Sequence, residues 1–318
     1  MKTTRIITIV CWVVTVLVLT GLVAWLLLGT ALGSLGQINF GFDWNTGPGE
    51  ARGSYSIPSG GIDSIDINWT AGRITVLHHD GDDIQITEFS RRELRDDESF
   101  RVSSNGGTVS IEFNERIGLR AGRIGRQQSK NLEVLVPRAL EILHIDSTSG
   151  RVEIDGIDAS DLRINATSGR IEIFRVTAQT VDIDSTSGRI EMSNSSADRI
   201  NVRSTSGRVD FFAVQARIVD THTTSGRQYI SGAFSEAINL RGISGRVEFV
   251  STVVPSDLAI NVTSGRISVT VPDEGPVSVQ HSTAAGRFSS QLPVTTGVAD
   301  AQFRLTTTSG RIEIFVLR

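Results

Sequence analysis

Residues 183–192 read Ile-Asp-Ser-Thr-Ser-Gly-Arg-Ile-Glu-Met, and this stretch is one copy of a repeat that runs through most of the chain. Its Ser-Gly-Arg core returns at intervals of 19 residues and then at intervals of 20, 21 and 24 residues, the copy at 285–287 reading Ala-Gly-Arg. The repeat glycines are Gly150, Gly169, Gly188, Gly207, Gly226, Gly245, Gly265, Gly286 and Gly310. A period of about 20 residues is the mark of a solenoid, in which each repeat stacks on its neighbours.

Apolar and polar residues alternate on both sides of each glycine. Around Gly188 the apolar residues are Val181 and Ile183 before the glycine, and Ile190 and Met192 after it. Alternation with a period of two marks a strand with one face turned inward. Each repeat therefore predicts two short strands joined at Ser-Gly, where glycine supplies a backbone angle that other residues adopt only at a cost.

The fold class follows from the length of the repeat. A 19-residue repeat cannot complete a core alone, so neighbouring repeats must cover its apolar face and pair with its backbone. The sequence predicts an all-β, single-chain parallel β-solenoid of about 19-residue rungs. A β-propeller is the alternative, but each blade needs four strands and roughly 40 residues. The one cysteine, Cys11, allows no disulfide within the chain.

Charged residues also repeat, in two columns on the outer face. The residue after each repeat glycine is arginine, and we call these residues the arginine column: Arg151, Arg170, Arg189, Arg208, Arg227, Arg246, Arg266, Arg287 and Arg311. Two residues further on, an acidic residue is usual: Glu153, Glu172, Glu191, Asp210, Glu248 and Glu313. Residues i and i+2 of a strand share a face, so the two columns run side by side.

The paired columns have two interpretations. They form a mutually neutralising network that fixes the register and keeps this face soluble, or they form a charged stripe that binds a polyanion such as teichoic acid or polysaccharide. The carboxylates count against the second interpretation because they cancel much of the field of the arginines.

The N-terminal segment predicts membrane attachment. Residues 6–32 carry no charge and follow Lys2 and Arg5, and about 20 apolar residues span a bilayer. We predict one transmembrane helix over 6–32, with residues 1–5 in the cytoplasm and the rest of the chain outside. The alternative is a signal peptide cleaved near Ala31-Leu32-Gly33. The predicted protein is thus a single-pass protein of the cell membrane.

The remaining chain divides at residue 60. Residues 33–59 predict a linker whose aromatic residues either lie at the membrane surface or cap the first repeat. Residues 60–318 predict the repeat domain, which is most regular over 139–271, and its pattern extends back to copies around Gly72 and Gly107. Because an open edge invites pairing with other chains, we predict that a loop at residues 291–302 covers the final repeat, or that a partner does.

A basic stretch at 114–130 interrupts the pattern and predicts a protruding loop. Its basic residues are Arg116, Arg120, Arg123, Arg126 and Lys130. The loop is either a solvated insertion or a contact for anionic lipid or cell-wall polymer.

Catalytic and cofactor motifs do not emerge from the sequence. The run of residues 78–83, His-His-Asp-Gly-Asp-Asp, lacks recognised ligand spacing and is typical of a turn. The repeated Ser-Gly is a structural corner, whereas a nucleophile is expected once, beside a base. A net charge of −4 disfavours nucleic acid as a partner. We therefore expect no enzyme, no metal and no cofactor.

Three stretches carry a resemblance to a known family. They are residues 65–76 (Ile-Asp-Ile-Asn-Trp-Thr-Ala-Gly-Arg-Ile-Thr-Val), residues 81–86 (Gly-Asp-Asp-Ile-Gln-Ile), and the Thr-Ser-Gly-Arg-Ile-Glu-Ile copies at 167–173 and 308–314. Over about residues 60–318 the pattern resembles a bacterial family of proposed adhesins of unknown function with β-strand repeats. The resemblance implies this fold and a membrane-anchored envelope protein, and it brings no catalytic or binding residues.

Three hypotheses for function follow. The first is a non-enzymatic, membrane-anchored extracytoplasmic scaffold or adhesion module that contacts an envelope protein or cell-wall polymer. The second is an accessory sensor in envelope-stress signalling, which needs a membrane partner because its cytoplasmic tail is so short. The third, a polysaccharide-active enzyme, would need a cluster of carboxylates in one groove.

Overall fold

The repeats form long strands that are mostly parallel to one another. The structure, a computed structural model, describes residues 49–95, 98–114, 129–137, 139–295 and 299–317. The strands of these residues are β1 (Glu50–Pro58), β2 (Ser64–His78), β3 (Asp83–Ser90), β4 (Arg101–Asn105), β5 (Thr108–Glu112), β6 (Asn131–Val136), β7 (Ala139–Asp155), β8 (Asp158–Phe174), β9 (Thr177–Ser193), β10 (Ser196–Ser251), β11 (Asp257–Val271), β12 (Val277–Ser290), β13 (Val294–Thr295) and β14 (Gln302–Val316). They belong to one sheet, which confirms the all-β class.

Successive repeats stack in parallel with identical positions in register. Gly150 of β7 pairs with Gly169 of β8, and Gly169 pairs with Gly188 of β9. β10 runs through three repeats without interruption, and its Gly207 pairs with Gly188. The predicted parallel stacking with a 19-residue offset is therefore present.

The core is built by the alternating apolar residues. In the repeat around Gly188, Val181, Ile183, Ile190 and Met192 are all fully buried. Their counterparts in the neighbouring repeats belong to the same hydrophobic cluster. Both strands of each repeat therefore turn their apolar faces towards one continuous interior, as the alternation predicted.

One repeat carries a polar layer in this interior. Thr221, Thr223 and Gln228 occupy inward positions around Gly226 and are fully buried. The Gln228 Nε2 donates to Thr223 Oγ1 and to the Arg241 carbonyl oxygen, both at 2.8 Å. These bonds offset the desolvation of the amide, so the stack tolerates the interruption.

The first end of the stack is closed by short strands that do not follow the repeat. β2 pairs with β7 on one side, and on the other side with β5 and β6. β3 pairs antiparallel with both β1 and β6. Residues 50–58, which we assigned to the linker, form β1.

The copy around Gly72 is a true repeat, because Gly72 pairs with Gly150. The predicted repeat around Gly107 is wrong. Gly106 and Gly107 have φ angles of 56° and 82°, and they form the turn of an antiparallel hairpin between β4 and β5. Two successive positive φ angles are what a two-residue hairpin turn requires.

The other end of the stack departs from chain order. β14 lies between β11 and β12, and β13 pairs with the first residues of β12. We expected residues 291–302 to cover β14, but β12 covers it instead. The inward residues of β14, such as Phe303 and Ile312, are fully buried. The inward positions of β12 include the polar residues His281 and Ser290. Exposure to solvent near the end of the stack costs these residues less than it would cost the apolar residues of β14.

The membrane prediction falls outside the described residues. The segment 6–32 and most of the linker are not among them. Within the residues that the structure does describe, no helix has the length and hydropathy needed to cross a membrane.

Candidate functional site

The outer surface is organised by the corner at each repeat glycine, which we call the glycine corner. Gly169 and Gly188 have φ angles of 129° and 131°. A Cβ added to Gly188 would lie 1.8 Å from the carbonyl oxygen of Gly169. Only glycine lets neighbouring backbones approach so closely. The corner therefore sets the position of the arginine that follows it.

The first part of the arginine column is neutralised by carboxylates. Arg151 Nη1 lies 3.0 Å from Glu153 Oε1 of its own repeat, and Arg151 Nε lies 3.8 Å from Glu172 Oε2 of the next repeat. Further pairs are Arg73–Glu153, Arg170–Glu172, Arg189–Glu191, Arg189–Asp210, Arg208–Asp210 and Arg227–Glu248. This geometry matches the mutually neutralising network. Each exposed pair is weak, so the network contributes to register more than to stability.

One carboxylate of this network is buried. The Asp210 side chain is only 6% exposed. Burial raises the pKa of Asp210, while the guanidinium groups of Arg208 and Arg189 act in the opposite direction. The negative charge of Asp210 is thus disfavoured in the folded protein relative to the unfolded chain.

Three arginines in the last part of the arginine column lack such partners. Among the described residues, no carboxylate lies within ion-pair distance of Arg246, Arg266 or Arg287. Serine takes the place of the carboxylate two residues after Arg266 and Arg287. Glu248 follows Arg246 but pairs at 3.1 Å with Arg227 of the preceding repeat. The field of this end of the column is therefore positive.

A polar groove runs across the repeats on the other side of the glycine corner. It encloses about 600 Å³ and crosses from β2 through β7, β8 and β9 into β10. Its lining residues lie mainly two, three and four positions before each glycine. They are Asn68, Asp146, Ser147, Thr148, Asn165, Ala166, Thr167, Asp184, Ser185, Thr186, Arg203, Ser204, Thr205, His222 and Thr224.

Small side chains and hydroxyl groups make this groove. The Asn165 Nδ2 donates to Asp146 Oδ1 at 2.8 Å, and Arg203 Nη1 lies 3.6 Å from Asp184 Oδ2. The Thr-Ser pairs are visible in most repeats of the sequence, but the groove forms only when the repeats stack side by side. Its donors and acceptors suit hydrogen bonding with an extended polar partner.

Lys130 does not lie where the basic loop predicted it. Its side chain is 2% exposed, and its Nζ lies 2.6 Å from Glu88 Oε1. The amine also donates to the carbonyl oxygens of Glu98 at 2.8 Å and Asn114 at 3.1 Å, and it sits 4.3 Å from the centre of the Phe113 ring. Lys130 is therefore an interior residue. The other predicted contacts, Arg116, Arg120, Arg123 and Arg126, lie outside the described residues.

Lys130 also closes the end of the column of glycine corners. A Cβ added to Gly72 would lie 2.0 Å from the Lys130 carbonyl oxygen. At the other corners the carbonyl oxygen of a neighbouring glycine occupies this position. The Lys130 carbonyl oxygen also accepts a 2.8 Å hydrogen bond from Trp69 Nε1. The backbone of Lys130 thus substitutes for a missing repeat.

The histidines take part in local polar contacts. The His144 ring lies 3.4 Å from Asp66 and 3.3 Å from Asp146 on adjacent repeats. His78 contacts Asp80 at 3.2 Å in the connection between β2 and β3. Within the described ranges, no three histidine, cysteine or acidic side chains are grouped so that they could hold a metal ion.

The repeat region matches a known protein family. A family profile described as Toastrack DUF4097 matches residues 62–315. No curated protein matches the sequence significantly. Among solved structures, the chain is similar to proposed adhesins from Parabacteroides distasonis (13% identity, 84% of this chain and 98% of that one, TM-score 0.49) and Bacteroides fragilis (14% identity, 82% and 95%, TM-score 0.42). It is also similar to a proposed cell adhesion protein from Clostridium sporogenes (9% identity, 84% and 100%, TM-score 0.25).

Proposed function

The chain belongs to the Toastrack DUF4097 family, and from that premise we propose that it is a non-enzymatic interaction module of the bacterial cell envelope. The observation that carries the proposal is the repetition of the outer surface. Threonine, serine and arginine recur at the same offsets around the glycine corner in β7, β8, β9 and β10. A surface of this kind presents the same groups at each step to one extended partner.

The distribution of reactive side chains supports a binding role. A catalytic site places a nucleophile, or an acid and a base, together at one location. In the described part of the chain the carboxylates of the outer face instead pair with arginines, repeat after repeat. The proposal therefore assigns binding and not turnover to this surface.

The polar groove is the binding surface that we propose for the partner. Thr167 and Thr186 are exposed, and Ser185, which precedes Thr186 in the same repeat, is half-buried. Hydroxyl groups that repeat along the stack every 4.8 Å or so can exchange hydrogen bonds with water for hydrogen bonds with a polysaccharide or an extended protein segment.

Attachment to the membrane completes the proposal. We place the anchor in residues 6–32, with the N-terminus in the cytoplasm and the repeats outside. The support is the uncharged run itself and the two basic residues that precede it. An anchored chain would hold the groove close to the cell wall.

The test uses the full chain, purified in a neutral detergent, and cell walls isolated from the bacterium that naturally produces the protein. The wild-type protein should sediment with the walls. The double substitution T167E/T186E should reduce the bound fraction at least fivefold, because two carboxylates would fill the groove. The control T177E changes an exposed threonine away from the groove and should bind like the wild type.

Equal binding of T167E/T186E and the wild type would remove the groove from the proposal. If no protein sediments with the walls, the interaction module itself is wrong. In that case, the accessory sensor would be supported if replacing residues 6–32 by an unrelated apolar helix abolished the envelope-stress response.

A further inference from the structure

We propose that the last part of the arginine column binds a linear anionic polymer of the envelope. The site consists of Arg246, Arg266 and Arg287, which we call the open arginines. The inference rests on the proposed function for the kind of partner, but it concerns a different surface from the polar groove and can fail independently.

The evidence is the contrast within a single column. From Arg73 to Arg227, each arginine lies within 4.0 Å of a carboxylate. Beyond Arg227, the only member of the arginine column with such a partner among the described residues is Arg311, whose Nη1 lies 3.4 Å from Glu313 Oε1. The three open arginines are exposed. The structure thus supplies cations at this end without the carboxylates that neutralise the rest of the column.

The strand order brings these cations together. Arg246 is the pairing partner of Arg266, Arg266 is the partner of Arg311, and Arg311 is the partner of Arg287. Neighbouring strands lie about 4.8 Å apart. Because β14 is inserted between β11 and β12, Arg311 lies between Arg266 and Arg287. Among the described residues, only one of these four consecutive arginines has a carboxylate within 4.0 Å, namely Arg311 with Glu313.

Like charges directly opposite each other on adjacent strands destabilise a sheet. In the first part of the column the carboxylates offset this repulsion. At the open arginines the described residues provide no such offset, whereas a bound anion would. Guanidinium groups bind phosphate and carboxylate oxygens through two parallel hydrogen bonds, so both kinds of anion fit the site.

A polymer fits this site better than a single anion. Each contact at an exposed arginine is weak and is screened by salt. Anionic groups linked in one chain bind the second and third arginine at a high effective concentration, so the weak contacts add up. The linear arrangement of the open arginines along the stack matches such a chain.

The test measures binding of the full chain, in neutral detergent at low salt, to three purified polymers. Poly(glycerol phosphate) carries phosphodiesters, polygalacturonate carries carboxylates, and dextran is neutral. The variant R246Q/R266Q/R287Q should weaken binding to at least one anionic polymer tenfold or more. The control R151Q/R170Q/R189Q removes the same number of charges from the neutralised part of the column, and its Kd should change less than twofold.

The two anionic polymers identify the source of the anion, since binding to only one of them assigns the site to phosphodiesters or to carboxylates. The Kd should also rise with salt, and less steeply in R246Q/R266Q/R287Q than in the control. Equal weakening in the two variants would show a response to net charge and overturn the site. Dextran binding as strong as that of the anionic polymers, or no binding to either anionic polymer, would also overturn it. None of these results would affect the wall binding that depends on Thr167 and Thr186.

A second readout follows from the repulsion. The melting temperature of R246Q/R266Q/R287Q should equal or exceed that of the wild type, because the variant relieves unfavourable neighbours. The control should melt at a lower temperature, because it leaves carboxylates without partners. A lower melting temperature for the variant than for the control would contradict the view that the open arginines repel one another.

Discussion

Each repeat bends at two corners that solve the same problem differently. At the glycine corner the φ angles of Gly188 and Gly207 are 131° and 150°. At the second corner, which follows the second strand of each repeat, Arg175, Asn194 and Ala213 have φ angles of 52°, 49° and 53°. Three different side chains occupy the second corner at equivalent positions, whereas the first corner holds glycine every time.

The difference lies in what surrounds the corner. At the glycine corner the preceding repeat leaves no room, since a Cβ on Gly188 would meet a carbonyl oxygen at 1.8 Å. At the second corner, Gly156 has a φ of 73°, and the nearest atom to an added Cβ is the His78 Cβ at 3.3 Å. A left-handed angle alone costs a residue with a side chain about 1–2 kcal/mol. Close approach of the backbones is what makes glycine necessary at the first corner.

The largest effect should come from one substitution made at both corners. G188A should lower the free energy of unfolding by about 5 kcal/mol or more, because the new methyl group must push two strands apart. G156A should cost about 1–2 kcal/mol, the price of the angle. Urea denaturation of the full chain measures both values. Equal losses would show that the angle, and not the contact, selects glycine.

The next effect tests how the column of glycine corners ends at Lys130. K130M should destabilise the protein by about 3–5 kcal/mol, because Glu88 would remain buried without its cation. The double variant K130M/E88M removes both charges and should recover most of this loss. Denaturation midpoints decide the outcome. If K130M unfolds like the wild type, Lys130 does not hold this end of the stack.

A smaller effect of opposite sign is expected at the second corner. A213N should raise the free energy of unfolding by about 0.5–1 kcal/mol, because asparagine adopts the left-handed angle more easily than alanine. The control A216G changes a strand residue on the same β10 and should lose about 1 kcal/mol. Thermal melts of both variants provide the measurement, and a destabilised A213N would contradict the strain that we assign to Ala213.

The smallest effect concerns the strand that leaves the glycine corner. Burial raises the pKa of Asp210 above 3.8, so folding favours its protonated form. This contribution to stability is present below the unfolded-state pKa and is lost as the pH rises through the folded-state pKa. The stability of D210N relative to the wild type should therefore increase as the pH is raised from about 3.8. E191Q, the equivalent change at the half-buried Glu191 of the neighbouring repeat, is the control, and a stability difference between D210N and the wild type that falls with pH would contradict the burial effect.

Much of the fold was predictable because the repeat is a local pattern. The alternation around Gly188 identified the inward residues, and the structure buries all four of them. The predicted repeat around Gly107 is wrong because the spacing of Val102 and Val109 also occurs in a hairpin, where the two strands are antiparallel. Periodicity reports which side chains face inward, but it does not report the direction of the neighbouring strand.

The candidate sites were less predictable. The sequence left two interpretations of the arginine column open, and the ion pairs of its first part match the neutralising network. Lys130 was assigned to a basic loop because its neighbours in sequence are charged, yet the structure buries it against Glu88. These two residues are 42 positions apart, and no local rule connects them.

The sequence by itself determined the period, the inward face of each strand and the need for glycine at one corner, because these depend on residues close in the chain. Only the tertiary structure decided the order of β11, β14 and β12, the second corner and the polar groove. Strands at the end of a stack compete for the same backbone partners, and the strand with the most apolar inward face takes the covered place. That competition also decides which arginines lack a carboxylate, because pairs across repeats exist only once the strand order is set.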